Sequence, residues 1–153
     1  MAAAQMRELM RFCPIVLGAA ALAALAVLPA SADVRIVSDA GGQIGPYLEQ
    51  LVALRGSGER VVIDGPCLSA CTMVLGVIPP ERICVTQRAR LGFHAAWHPA
   101  SNGQPITSRG GTQLLMDVYP PNVRRWIARK GGLTQRMFYL HGRELAAMYR
   151  PCR

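Results

Sequence analysis

An α/β layered domain with a mostly parallel sheet and flanking helices, preceded by an export signal, is the fold class the sequence predicts. Three observations predict it. Short β-branched runs alternate with stretches of helical periodicity, Gly and Pro pairs punctuate the joins, and an apolar leader carrying two arginines precedes the first strand. With 153 residues, 51% of them hydrophobic and 17% charged, the chain suits one domain and is too apolar for a disordered one. Its 15 Gly and 11 Pro follow no fixed period, which excludes collagen-like and solenoid architectures.

The leader comes first. Arg7 and Arg11 supply a positive region, Ile15 to Leu28 is an unbroken run of apolar and small residues, and Pro29-Ala30-Ser31-Ala32 closes it in small residues. This pattern predicts a secretory signal peptide over residues 1–32, cleaved after Ala32, and a periplasmic or secreted domain over 33–153. An uncleaved inner-membrane anchor is the alternative; the apolar run is shorter than the roughly 20 residues a spanning helix needs.

Each element then follows from local chemistry. Asp33–Ser38 alternates as a strand and ends at Gly41-Gly42; Ile44–Arg55 reads as a helix with Tyr47, Leu48, Leu51, Val52 and Leu54 on one face, stopped by Gly56-Ser57-Gly58. Arg60–Asp64 is a β-branched run suited to a buried parallel strand, closed by Gly65-Pro66. A helix is expected from Leu68 to Val77, where Pro79-Pro80 ends it. Arg82–Thr86 and Arg90–His94 are two more strands, and polar Pro99–Gly111 is the longest expected loop. From Thr112, Leu114, Leu115, Val118, Val123, Trp126 and Ile127 recur at helical spacing. Pro120-Pro121 splits them into two helices, and Gly131-Gly132 ends the pair. A last helix is expected from Thr134, clearest over Arg143–Tyr149.

Without the leader the net charge is +7, and it is lopsided: Arg82–Arg153 carries twelve basic residues against Asp117 and Glu144. Such a field suits solubility or an anionic surface, with Arg124, Arg125, Arg129 and Lys130 as the densest cluster; no nucleic-acid motif accompanies it. Export leaves Cys67, Cys71, Cys84 and Cys152, an even number that predicts two disulfides in an oxidising compartment. Cys67 and Cys71 lack a second close Cys or His pair, so no metal site is expected, and no cofactor motif is present.

The chemistry concentrates in Gly65-Pro66-Cys67-Leu68-Ser69-Ala70-Cys71-Thr72, which sets a serine between a buried strand and a helix start, where backbone N–H groups and the helix dipole favour developing negative charge. Alone, Ser69 reads first as a helix cap. Gly41-Gly42 follows one strand and His94 ends another, so in a parallel sheet all three segments converge beyond the C-terminal strand ends. His98 and His141 read as surface residues, and Trp97 and Trp126 as packing anchors.

On these segments the chain resembles the Clp-protease/crotonase superfamily, in particular small secreted ClpP-like bacterial proteins. Strand-Gly41-Gly42 is similar to the family's glycine loop, Ser69-Ala70-Cys71 to its nucleophile turn, and Leu91-Gly92-Phe93-His94-Ala95 to its histidine segment. The resemblance implies a truncated ClpP/crotonase-like fold and a serine hydrolase or peptidase acting on a peptide or ester. In that reading Ser69 is the nucleophile, His94 the general base, and Gly41, Gly42 and Ala70 the oxyanion loop. It also implies self-association into rings or trimers. The alternative is a non-catalytic periplasmic binding or scaffold protein that keeps the fold and meets an anionic partner through its basic half. The family's orienting acid has no match: Leu133–Tyr149 offers only Glu144, and Asp117 lies on an earlier helix. Secreted relatives carry the Cys-x-Ser-Ala-Cys pair, which favours Cys67–Cys71 with Cys84–Cys152; Cys71–Cys84 with Cys67–Cys152 is the competing pairing.

Overall fold

The computed structural model describes residues 32–153, so the expected signal peptide, residues 1–32, lies outside the described residues except for Ala32. Strand β1 (Asp33–Ile36) leads through the glycine loop into helix α1 (Ile44–Ser57), and β2 (Arg60–Ile63) follows. Gly58, in the left-handed conformation at φ 79°, ends α1, as its lack of a Cβ permits. Val61, Val62 and Ile63 are buried, which fits the central strand of a sheet covered on both faces.

The expected helix from Leu68 is not what forms. Pro66–Leu68 is strand β3, Ser69–Met73 a 3₁₀ helix, and only Val74–Val77 is α-helical (α2). Val74 and Val77 are weak helix formers, and buried Met73, Val74 and Leu75 hold the segment by packing rather than propensity. Strand β4 (Ile83–Val85) completes a parallel sheet in the order β1-β2-β4.

A second small sheet carries the site. Strand β5 (Arg90–Phe93) lies parallel to β3, pairing Cys67 with Leu91 and Leu68 with Gly92. Its other neighbour is β8 (Phe138–His141), antiparallel, with Leu91 opposite Leu140. This corrects two expectations: the mostly parallel sheet is two small sheets, one of them mixed, and the segment expected as a helix from Thr134 is irregular up to Met137 and strand over Phe138–His141. Helix α5 (Gly142–Ala146) keeps only part of that helix. The expected loop Pro99–Gly111 also contains structure, an antiparallel hairpin of β6 (Trp97–Pro99) and β7 (Pro105–Thr107), exposed throughout.

Helices α3 (Arg109–Val118) and α4 (Pro121–Arg129) are split at Pro120-Pro121 as expected. Helix α4 buries Val123, Trp126 and Ile127 and exposes Arg124, Arg125 and Arg129, with Lys130 just beyond its end. Phe93 meets Tyr119 and Trp126 at 5.4 Å between ring centroids, one edge-on and one tilted, so an aromatic cluster fastens these helices to β5. Two disulfides close, Cys67–Cys71 and Cys84–Cys152, with Cα atoms 5.3 and 4.9 Å apart; the competing pairing does not form. Among the described residues no helix is long and apolar enough to cross a membrane.

Candidate active site

The two sheets meet at one bridge, and that bridge sets the site. Asp39 pairs with Cys67 in parallel register; its N–H donates to the Pro66 carbonyl and its carbonyl accepts from the Leu68 N–H, both at 2.8 Å. The exit of β1 therefore runs alongside the exit of β3, and β3 is already parallel to β5. Gly41, Ser69 and His94 each follow the C-terminal end of one of these strands, which brings them to one edge.

Ser69 has φ 55°, the only positive φ of a non-glycine among the described residues. A serine there costs on the order of 1–3 kcal/mol and persists only where neighbours over-determine it. Three neighbours do. The Cys67–Cys71 bridge spans the turn. The Thr72 hydroxyl donates to the Ser69 carbonyl at 2.6 Å and, its proton thus committed, accepts from the Tyr119 hydroxyl, also at 2.6 Å. Burial pushes Tyr119 up to about 12, so it stays a neutral donor. Gly41 presses from the third side: a Cβ on it would lie 2.4 Å from the Leu68 carbonyl oxygen and 2.8 Å from both the Ala70 nitrogen and the Ser69 Cβ. Ser69 does not cap the helix. Leu68 holds the cap position without a side-chain bond, and the Ser69 hydroxyl makes no hydrogen bond among the described residues.

The glycine loop is itself pinned. The Gly41 N–H donates to Asp39 Oδ1 at 2.7 Å, and the Tyr47 hydroxyl donates to Asp39 Oδ2. Burial first, and the Asp39 carboxylate second, push the Tyr47 hydroxyl well above the usual phenol range, which keeps the proton on the donor side. Because its amide is occupied, Gly41 is not a free oxyanion donor; its part is the close approach. The Ala70 N–H, in the first turn of the 3₁₀ helix, has no intrahelical carbonyl to meet.

His94 is half-buried, and its Nδ1 lies 2.7 Å from the Ala95 carbonyl oxygen. A carbonyl only accepts, so this bond places the proton on Nδ1 and leaves the Nε2 lone pair free to act as a base. The Ala95 N–H is tied to the Thr134 carbonyl at 2.7 Å and the Ala96 N–H to the Thr112 hydroxyl at 3.1 Å, which fixes the carbonyl's direction. Neither acid considered from the sequence reaches this ring: Glu144 pairs with Lys130 at 3.5 Å, and Asp117 accepts from Gln113 at 2.8 Å.

Ser69, Ala70, His94, Gly41 and Gly42 line one cleft of about 560 Å³. Ser69 and His94 make no direct hydrogen bond. Ile44, Ala96 and Leu115 supply apolar wall, and Trp97 and His98 of β6 border the mouth; His98 is a surface residue as expected, and Trp97, expected as a packing anchor, is exposed beside it. His141 sits away from the cleft, on β8. Sequence reasoning missed Asp39, Tyr47, Thr72 and Tyr119. The legible signal was Asp39, an acid two residues before a glycine pair, a common side-chain turn pattern.

No protein-family model matches the chain, and no curated protein matches it either.

Proposed function

We propose that the protein is an exported ClpP/crotonase-like serine hydrolase acting on an ester or peptide bond, with Ser69 as nucleophile and His94 as general base. The observation that carries this reading is the strained Ser69 turn, held open from three sides and facing the same cleft as a histidine whose Nε2 is free. Ser69 Oγ attacks the acyl carbon and its proton passes to His94 Nε2. The oxyanion turns toward the Ala70 and Gly42 amides. The Ala95 carbonyl stands where a carboxylate orients the histidine of faster hydrolases. It fixes the tautomer but offers no full charge to stabilise the imidazolium, and the expected consequence is slow turnover. Two disulfides support an oxidising compartment and so the export reading. A fluorophosphonate probe tests the proposal: labelling of the folded protein that disappears in Ser69→Ala is expected, and no labelling between neutral and mildly alkaline pH refutes it.

One observation favours the binding-protein alternative. Arg124, Arg125 and Arg129 are exposed on one helix without an acidic partner among the described residues. If this patch meets an anionic surface, replacing Arg124, Arg125, Arg129 and Lys130 by Gln abolishes retention on heparin or anionic vesicles at low salt. Unchanged retention removes that role.

A further inference from the structure

We infer that a second hollow beyond His94 is a leaving-group subsite, shaped for an uncharged, apolar substituent on the alcohol or amine side of the bond being cleaved. The inference rests on the Ser69–His94 reading and names the substrate class of that site.

His94 and Trp97 line two spaces at once. One is the Ser69 cleft. The other is a hollow of about 330 Å³ completed by Gly103, Pro105, Gln135 and Met137. Trp97 is 54% exposed, so a large aromatic face stands open between the two compartments. The hairpin β6–β7 forms one wall. Gln135 and Met137, on the approach to β8, form the other, and the Gln135 side-chain amide donates to the Thr107 hydroxyl at 3.1 Å to hold the walls together.

The chemistry decides which part of a substrate belongs there. When Ser69 Oγ bonds to the acyl carbon, its proton goes to His94 Nε2. When the bond to the leaving oxygen or nitrogen breaks, the same proton goes to that atom. Water then adds to the acyl-enzyme, gives a proton to Nε2, and Ser69 departs with it. The leaving atom must therefore lie against His94, and its substituent continues into whatever space His94 lines away from Ser69. That space is the second hollow. It contains no carboxylate, ammonium or guanidinium, so an ionised substituent finds no charged partner there, whereas an apolar one covers the open Trp97 ring and the Met137 side chain. A space of about 150 Å³ already admits benzene, so this one has room for a substituted phenyl ring or a medium aliphatic side chain.

The test compares butyrate esters of 4-tert-butylphenol, 4-hydroxybenzoate and a 4-hydroxyphenyl-trimethylammonium salt on wild type, Gln135→Glu and Gln135→Lys. Each variant replaces the amide that holds Thr107, and the two bring opposite charges to the hollow. Wild type is expected to favour the neutral ester. Relative to that ester, kcat/KM for the anionic one rises about fivefold in the Lys variant and falls about fivefold in the Glu variant, with the cationic one reversed. In a parallel titration of Ser69→Ala protein, 4-tert-butylphenol shifts the Met137 methyl resonance. Ratios within twofold across the three proteins, or a Met137 signal that does not move, overturn the subsite even if Ser69 reacts with the probe. A Met137 shift without any Ser69 reactivity rejects the enzyme, and the leaving-group role with it.

Discussion

Gly41→Ala puts the central packing argument at risk. The substitution places an alanine at φ 78°, which costs about 1–2 kcal/mol for an L-residue in the left-handed region. It also drives a methyl to 2.4 Å from the Leu68 carbonyl oxygen and 2.8 Å from the Ala70 nitrogen, backbone atoms that cannot turn aside as a side chain can. Overpacking of this kind adds about 1–3 kcal/mol. A combined loss near 3 kcal/mol lowers the Tm of a domain this size by about 10 °C. Gly42→Ala is the matched control, because its φ is not positive and its new Cβ meets only Tyr47 Cδ2, at an ordinary 3.7 Å. Thermal unfolding followed by circular dichroism at one pH compares the two, with fluorophosphonate labelling rate as the second readout. The expected result is a large fall in both for Gly41→Ala and a melt within about 2 °C of wild type for Gly42→Ala. Equal melts would show that the glycine loop does not press on the Ser69 turn.

Replacing Cys84 and Cys152 by Ser opens a loop with a sequence separation of 68 and costs about 4 kcal/mol by chain entropy, while the Cys67/Cys71 pair costs about 2 kcal/mol; Tm should rank in that order, but Ser69 labelling should suffer more from the second change. Thr72→Val removes the donor to the Ser69 carbonyl and leaves Tyr119 without its acceptor, for a loss of about 1–3 kcal/mol and slower labelling; unchanged labelling would free the turn from Thr72. Asp64 is buried among the Arg88, Thr86 and Arg35 side chains, whose hydrogen bonds hold its carboxyl well below the usual carboxylate range. A depressed folded-state pKa gives stability that is present above the unfolded value and lost as pH falls below about 4. Asp64→Asn should therefore be less stable near neutrality and shed less of its stability on acidification; parallel acid titrations of the two would contradict this.

Strands at the front of the domain were legible because burial left a mark in composition. Val61-Val62-Ile63 and Ile83-Cys84-Val85 are apolar runs bounded by turn residues, and both are strands. The hairpin β6–β7 was not legible, since every residue in it is exposed and no apolar alternation separates it from loop. β8 was hidden differently. The sequence reads as one helix from Thr134 to Tyr149, and only antiparallel pairing of Phe138–His141 with β5 overrides it, a long-range fact with no local trace. In the site, the convergence of Ser69, His94 and the glycine pair was readable from strand-end positions. The partners that hold them, Tyr119 forty-seven residues from Thr72 and a backbone carbonyl on His94, leave no pattern in the chain.

The Arg150–Cys152 segment does more than anchor a disulfide. Val85 gives its N–H to the Arg150 carbonyl and takes the Cys152 N–H on its own carbonyl, both at 3.0 Å, on the side of β4 away from β2. The segment thereby shields an apolar strand edge that would otherwise invite a strand from another molecule. Because Cys84–Cys152 holds that cover in place, reduction would uncover a template for intermolecular pairing while much of the core stayed packed. For this protein, loss of solubility under reducing conditions would then precede loss of structure, and handling in thiol-containing buffers would select for aggregates.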